Sequence, residues 1–338
     1  MTQQKTALII GITGGIGNET AKALQAGGWL IRALHRNPAV AQSTADLPRG
    51  ISWATGDAMK AADVRAAAAG CAVVVHAANP PGYKNWRGLA LPMLENAIGA
   101  AAAADARLVL PGNIYNYGPD AGALVAEAAP QHPPTEKGQV RVEMEAMLAN
   151  YCGAGARALI VRAGDFFGGH APASWMETVI VKPGEPLQSV TWPGDQTTGH
   201  AFAYLPDLAE TIVRLLDRED DLAAFERVHF AGHWLAPGRQ FAESISRLAG
   251  DISIKSMPWQ LLRLIAPFHT TLREAMAMRY LWQTPIALDN RHLIDLIGAE
   301  PHTPLDVALE RSLVSLGCLP ASSTARVDCS DALAGAGQ

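Results

Sequence analysis

Two basic side chains, Lys137 and Arg141, stand four residues apart in the segment EKGQVRVEME. On a helix, positions four apart are neighbours on one face, and two like charges there cost about 0.2–0.5 kcal/mol unless an anion or a function offsets them. Val140, Met144, Met147 and Leu148 would form the apolar face of such a helix. The rotation per residue then sets both cations at one margin of that face, with Glu136 and Glu143 turned away. Cations on a buried margin suit a binding cleft; the bland alternative is an anchor from helix to loop. A guanidinium can hydrogen-bond hydroxyls and supply positive potential. A lysine brought below its free value of about 10.4, by burial or by a neighbouring guanidinium, can transfer a proton or bind a carbonyl or anionic group electrostatically.

A second pattern, LIIGITGGIG, spaces Gly11, Gly14 and Gly17 three apart, with Thr13, Gly15 and Ile16 between them. Glycine is needed where a strand-to-helix turn is tight, where backbone approaches a pyrophosphate, and where the helix packs on the strand; the helix start then offers free N–H groups. A dinucleotide is the expected ligand. The next apolar run ends IRALHRNP, with His35 and Arg36 where an acid would accept a ribose 2′-OH. A guanidinium suits a 2′-phosphate, which favours NADP(H) over NAD(H). A solvated arginine after a strand is the alternative. Asp57, beside Ala58 in ATGDAMK, either accepts from an adenine amino group or caps the following helix.

These residues need a scaffold, and the chain alternates short apolar runs with helical patterns. Strands are expected at Thr6–Ile12, Trp29–His35, Ser52–Ala54, Ala72–His76, Arg107–Leu110 and Ala158–Arg162, with helices at Ile16–Ala26 and from about Asn85. Such alternation reads as an α/β fold, a doubly wound parallel sheet with helices on both faces and ligands beyond the strands' carboxyl ends. Residues 1–163 form the expected dinucleotide-binding Rossmann domain. Residues 164–320, mostly helical from Pro206 onward, form mainly a smaller mixed substrate lobe, with segments such as 201–232 returning to the sheet. The last stretch, 321–338, reads as a loose tail.

At 338 residues, 49% hydrophobic, 17% charged and net charge −5, the chain has room for a large core and no polybasic run to draw nucleic acid or an anionic membrane. No run of about 18 apolar residues suggests a membrane span, and the start MTQQKTALIIG lacks a signal-peptide pattern. The cytoplasm is the expected location. Cys71, Cys152, Cys318 and Cys329 form no CxxC pair, so no disulfide framework or zinc knuckle is indicated. His229 and His233 are four apart without the glutamate of a zincin, no metal is expected, and no GxSxG elbow is present.

The glycine pattern, the Gly-Asp after the third strand, HAANPP after the fourth, PGNIYNYGP after the fifth and AFAYLPDLAETI together resemble the short-chain dehydrogenase/reductase superfamily, in its extended NAD-dependent epimerase/dehydratase-like branch. The resemblance covers roughly residues 5–250. It implies that Ala77, Ala78 and Asn79 line the cofactor, that loops holding Asp165, His170, Trp175 and His200 close over substrate, and that a homodimer can form. It also implies a Ser or Thr five residues before the glycine of the YG pair and a Tyr-x-x-x-Lys on the next helix, the Tyr moving the substrate proton and the Lys lowering its pKa. Here those positions hold Asn113, Lys137 and Arg141. The usual proton-transfer set is replaced, leaving Asn113 as an amide donor, Lys137 as acid or electrostatic group, Arg141 on the nicotinamide ribose, and Tyr83 and Tyr115 as reserve donors. An NADP(H)-dependent oxidoreductase acting on a small carbonyl compound or activated alkene is expected. A catalytically silent NAD(P)-binding regulator, a sugar-nucleotide epimerase or dehydratase, and a structural role remain alternatives.

Overall fold

The computed structural model of the chain describes residues 4–44, 46–80, 85–266 and 270–320. Tyr83, Cys329 and the 321–338 tail lie outside the described residues. The first strand, β1 (Thr6–Ile10), stops short of the expected Ile12 because Gly11 turns the chain with φ +95°, a conformation that suits a residue without Cβ. Helix α1 (Gly15–Ala26) follows directly. The unit then repeats through β2 (Leu30–His35), α2 (Pro38–Thr44), β3 (Ser52–Thr55), α3 (Ala61–Ala68), β4 (Val73–His76), α4 (Trp86–Ala104) and β5 (Arg107–Asn113). The short β6 (Leu124–Val125) precedes α5 (Glu136–Gly153) and β7 (Ala158–Ala163). The remainder runs β8 (Asp165–Phe167), β9 (Ser189–Trp192), β10 (His200–Tyr204), α6 (Leu205–Leu216), β11 (Phe225–Phe230), β12 (His233–Leu235), α7 (Gln240–Leu248), β13 (Ser253–Ser256), α8 (Trp259–Ile265), α9 (Thr270–Ala277), β14 (Ala287–Leu288), α10 (Arg291–Ile297) and α11 (Leu305–Ser315).

Seven strands form one sheet in the order β11-β7-β5-β4-β1-β2-β3, and every neighbouring pair is parallel. This is a Rossmann-type doubly wound sheet. Alternation along β4 sorts its side chains: Val73 and Val75 join the core under α1 and α6, whereas Val74 joins the core under α3, α4 and α5. His76, two residues beyond Val74, ends the strand on the α5 side. The chain leaves the sheet in opposite directions from β1 and β4, which opens a crevice at their carboxyl ends.

The sequence from Pro206 onward is less helical than expected, its described residues holding four strands as well. Phe225–Phe230 reads FERVHF, and its charges obscure a strand; in the fold Glu226 accepts from the Ala223 N–H and pairs with His292, so β11 completes the sheet beside β7. A separate aromatic core, with Phe167, Trp192, Phe202, Phe241 and Trp282, joins β8–β10, α7 and α11 on the far side of the crevice. Asp165 and His200 lie on strands of this part rather than on loops.

Candidate active site

The crevice is a cleft of about 640 Å³. Its floor is the turn from β1 to α1, where Gly11, Thr13, Gly14, Gly15 and Ile16 all face the space. A Cβ on Gly11 would stand 2.6 Å from the Ala78 backbone nitrogen, so only glycine lets this turn nest against the end of β4. Helix α1 has Gly14 at its start with no side-chain cap and no acid in its first turn, so its N–H groups and positive dipole end are open to an anion. This donor set fits the pyrophosphate of a dinucleotide. Gly17 does not line the cleft, contrary to the expectation that it contacts the cofactor. A Cβ there would lie 2.3 Å from the Gly11 carbonyl oxygen, so its glycine serves the close packing of helix on turn.

His35, Arg36, Asp57, Ala58, Ala77, Ala78 and Asn79 also face the cleft. His35 Nδ1 accepts from the Asn37 N–H at 3.0 Å, which turns the ring toward its own loop. Arg36 is exposed at the rim and has no ion-pair partner among the described residues. Asp57 does not cap α3, whose N-cap is Lys60; its Oδ1 accepts from the Met59 N–H at 3.0 Å in the preceding turn. Asn79 has its side-chain oxygen on the Trp86 indole N–H at 2.9 Å, and that indole in turn lies under the Arg141 guanidinium, 5.5 Å away.

Helix α5 starts at Thr135, whose hydroxyl accepts from the Gly138 N–H. Lys137 and Arg141 both face the cleft, and Lys137 is only 5% exposed. Glu136 and Glu143 turn the other way and hold Arg87 of α4. The acid that does reach the pair comes from elsewhere: Glu274 on α9 stands 3.5 Å from Lys137 Nζ. Burial lowers the Lys137 pKa, and Glu274 pulls against it; the neighbouring guanidinium is not the cause. Asn113 Oδ1 accepts from the Tyr115 N–H at 3.0 Å, which leaves its amide nitrogen as the end available to the cleft; Tyr115 lines the same wall.

Sequence reasoning passed over two residues here. His76, inside HAANPP, is 2% exposed and faces the cleft, and neither ring nitrogen has a hydrogen-bond partner among the described residues. Burial, with the Arg141 charge, pushes it down to about 4, so the ring is neutral near pH 7. Glu274 has no local signal at all. Of the lid candidates, Asp165 and Trp175 face the cleft, Asp165 accepting from His200 at 2.8 Å or sharing its proton, and Trp175 meeting Trp282 edge-on at 5.2 Å. His170 instead pairs with Glu177. His229 bonds Tyr117 in the core, and His233 lies against His302.

No curated protein matches the chain. Among solved structures, UDP-glucose 4-epimerase from Brucella ovis in complex with NAD is 17% identical, with TM-score 0.74 over 93% of this chain and 98% of that one. A partial-consensus L-threonine 3-dehydrogenase is 18% identical, with TM-score 0.70 over 93% and 100%. UDP-glucose 4-epimerase from Bifidobacterium longum, in complex with NAD+ and UDP, is 15% identical, with TM-score 0.69 over 93% and 98%. At such identities the likeness is one of fold. The family model described as "NAD dependent epimerase/dehydratase family" matches residues 7–229, and the chain therefore belongs to that family of nicotinamide-dinucleotide enzymes.

Proposed function

We propose that the chain is an NADP(H)-dependent oxidoreductase of the extended short-chain type with an altered active site, acting on a small carbonyl compound or activated alkene. The observation that carries this reading is the meeting, in one cleft, of the glycine cradle with Lys137, Arg141 and Asn113 at the strands' carboxyl edge. Gly11, Gly14 and the uncapped start of α1 would hold the pyrophosphate, Arg141 the ribose hydroxyls, and Arg36 a 2′-phosphate. The nicotinamide supplies the hydride when bound. Lys137 and the Asn113 amide stabilise negative charge on the substrate oxygen, and Trp175 with Phe166 walls the site from the lobe side. An enone, whose product anion is already stabilised, suits a site that lacks the family's phenol.

The UDP and NAD bound in solved neighbours favour a second reading, NAD-dependent epimerisation or dehydration of a sugar nucleotide. Fluorescence titration with NADPH and NADH, followed by a turnover panel of enones, ketones and UDP-sugars, separates the two. NADPH is expected to bind tighter than NADH. Arg36→Ala is expected to weaken NADPH by about 10- to 100-fold and NADH little, the loss of one charge-assisted contact. Equal affinity for the two cofactors removes the NADP assignment. Turnover of UDP-sugars alone transfers the conclusion to the second reading, and binding with no turnover leaves a silent regulator.

A further inference from the structure

The two cations of α5 differ in one chemical respect: an amine can give up its proton inside a protein, and a guanidinium cannot. Arg141 can therefore be a fixed charge but not a base or a nucleophile. Lys137 can be either. Its amine is nearly fully buried, opens on the cleft where the substrate's reacting atoms are expected, and has a carboxylate from another helix 3.5 Å away. An amine beside a carboxylate in a site shielded from water is the arrangement needed to add nitrogen to a carbonyl group and to move the protons that follow.

We propose that Lys137 is a nucleophile that forms an imine with the carbonyl group of the substrate, with Glu274 moving the protons. The inference rests on the reading of this cleft as a site for an enone substrate, because reduction of the C=N of a saturated carbonyl adduct would leave a secondary amine fixed to the lysine. Glu274 takes a proton from the ammonium, and the Nζ lone pair attacks the carbonyl carbon. A C–N bond forms, the C=O π pair moves to oxygen, and that oxygen takes a proton from the newly bonded nitrogen, which gives a neutral carbinolamine. The carbinolamine then loses its hydroxyl as water, with Glu274 returning the proton it took, and a protonated C=N remains. Addition of one water reverses every step and restores the amine, so no oxidant or reductant is consumed.

This assignment explains why a lysine can stand where the resemblance calls for a phenol. A phenol neutralises negative charge arising on oxygen; an iminium removes that oxygen beforehand and draws electrons through the conjugated C=C, so that reduction at the β carbon leaves an enamine, which takes a proton and hydrolyses to the ketone and the free lysine. Glu274 balances the iminium charge, and the Asn113 amide nitrogen is the donor available to the departing oxygen. Burial, which depresses the amine's basicity, raises the fraction that carries a free lone pair. The chain has seven lysines, so the test must locate the adduct.

The experiment omits cofactor. Full-length protein is incubated with cyclohexenone in water labelled with heavy oxygen, and two readouts are taken: label entering the ketone, and the intact mass and peptide map after a borohydride quench. Wild type is expected to exchange the ketone oxygen and to trap one ketone per chain at Lys137. Lys137→Arg, which keeps the charge but cannot form an imine, is expected to do neither. Glu274→Gln is expected to slow exchange by about 10-fold or more while still trapping at Lys137. Absence of an adduct at Lys137, or exchange in Lys137→Arg equal to wild type, overturns the proposal. NADPH fluorescence and thermal melts on the same samples report separately on the cofactor reading and on folding. Cofactor binding without an adduct ends the imine alone; an adduct without cofactor binding ends the NADP(H) reading alone.

Discussion

His76 is the residue whose environment departs most from what its chemistry requires. A buried polar atom with no partner costs about 1–3 kcal/mol, and both nitrogens of this ring stand without one among the described residues. The ring is neutral, faces the cleft beside Arg141, and presents one donor and one acceptor to whatever enters. A ligand bearing hydroxyls would supply both partners, which converts the cost in the empty protein into affinity. His76→Leu is accordingly expected to leave the melting temperature of the ligand-free protein unchanged or raised. It is also expected to shrink the rise in melting temperature on adding NADPH. A large loss of stability without ligand, with the NADPH-induced rise intact, would assign His76 to the core instead.

At the scale of elements, the site depends on how closely the first turn of α5 approaches the turn after β5. A Cβ on Gly138 would stand 2.2 Å from the Tyr115 carbonyl oxygen and 2.3 Å from Pro133 Cβ, and neither backbone nor a proline ring yields easily. Gly138→Ala should therefore displace the start of α5, with Lys137 next to it, at a cost of about 1–3 kcal/mol. The expected result is a fall in kcat larger than the loss of NADPH affinity, because the pyrophosphate cradle belongs to the β1–α1 turn and Arg141 is the one proposed cofactor contact carried on α5; equal kcat in the variant would detach α5's position from turnover. This approach is the kind of fact a sequence does not carry. Strand and helix succession was legible from apolar period, and the face of α5 from the positions of Val140, Met144 and Leu148, because both are local properties. Glu274 was not, since α9 lies far from α5 along the chain and reaches Lys137 only in three dimensions. His76 was missed for a different reason: one histidine at a strand end has no period, and its lack of partners exists only in three dimensions.

At the scale of the whole molecule, three buried histidines among the described residues, His76, His229 and His233, are held neutral by the fold, and together they set a large part of its response to acid. Burial is the main cause in each case: His76 is pushed down to about 4, with Arg141 adding to the shift; His229 to about 3, beside Arg162; and His233 to about 4, beside His302. Their ordinary value is 6.5, so between that value and the folded ones the unfolded chain binds protons that the folded chain refuses. Stability from these groups is therefore complete above pH 6.5 and is lost as pH falls toward 4. Each histidine contributes a slope of up to about 1.4 kcal/mol per pH unit, and three in register approach about 4, against a typical total of about 5–15 kcal/mol. Asp289, held down to about 2 by the Arg291 guanidinium, acts in the same direction but only at lower pH. Melting temperature measured by calorimetry from pH 7 to pH 4.5 is expected to fall steeply across that window. His233→Phe, which places a ring against Phe167 without a titrating nitrogen, is expected to flatten the fall by about one third if the three histidines contribute equally. A melting temperature constant across the window in wild type, or an identical slope in the variant, would mean that these imidazoles take up protons in the folded state and that the fold does not exclude charge from its interior as its burial implies.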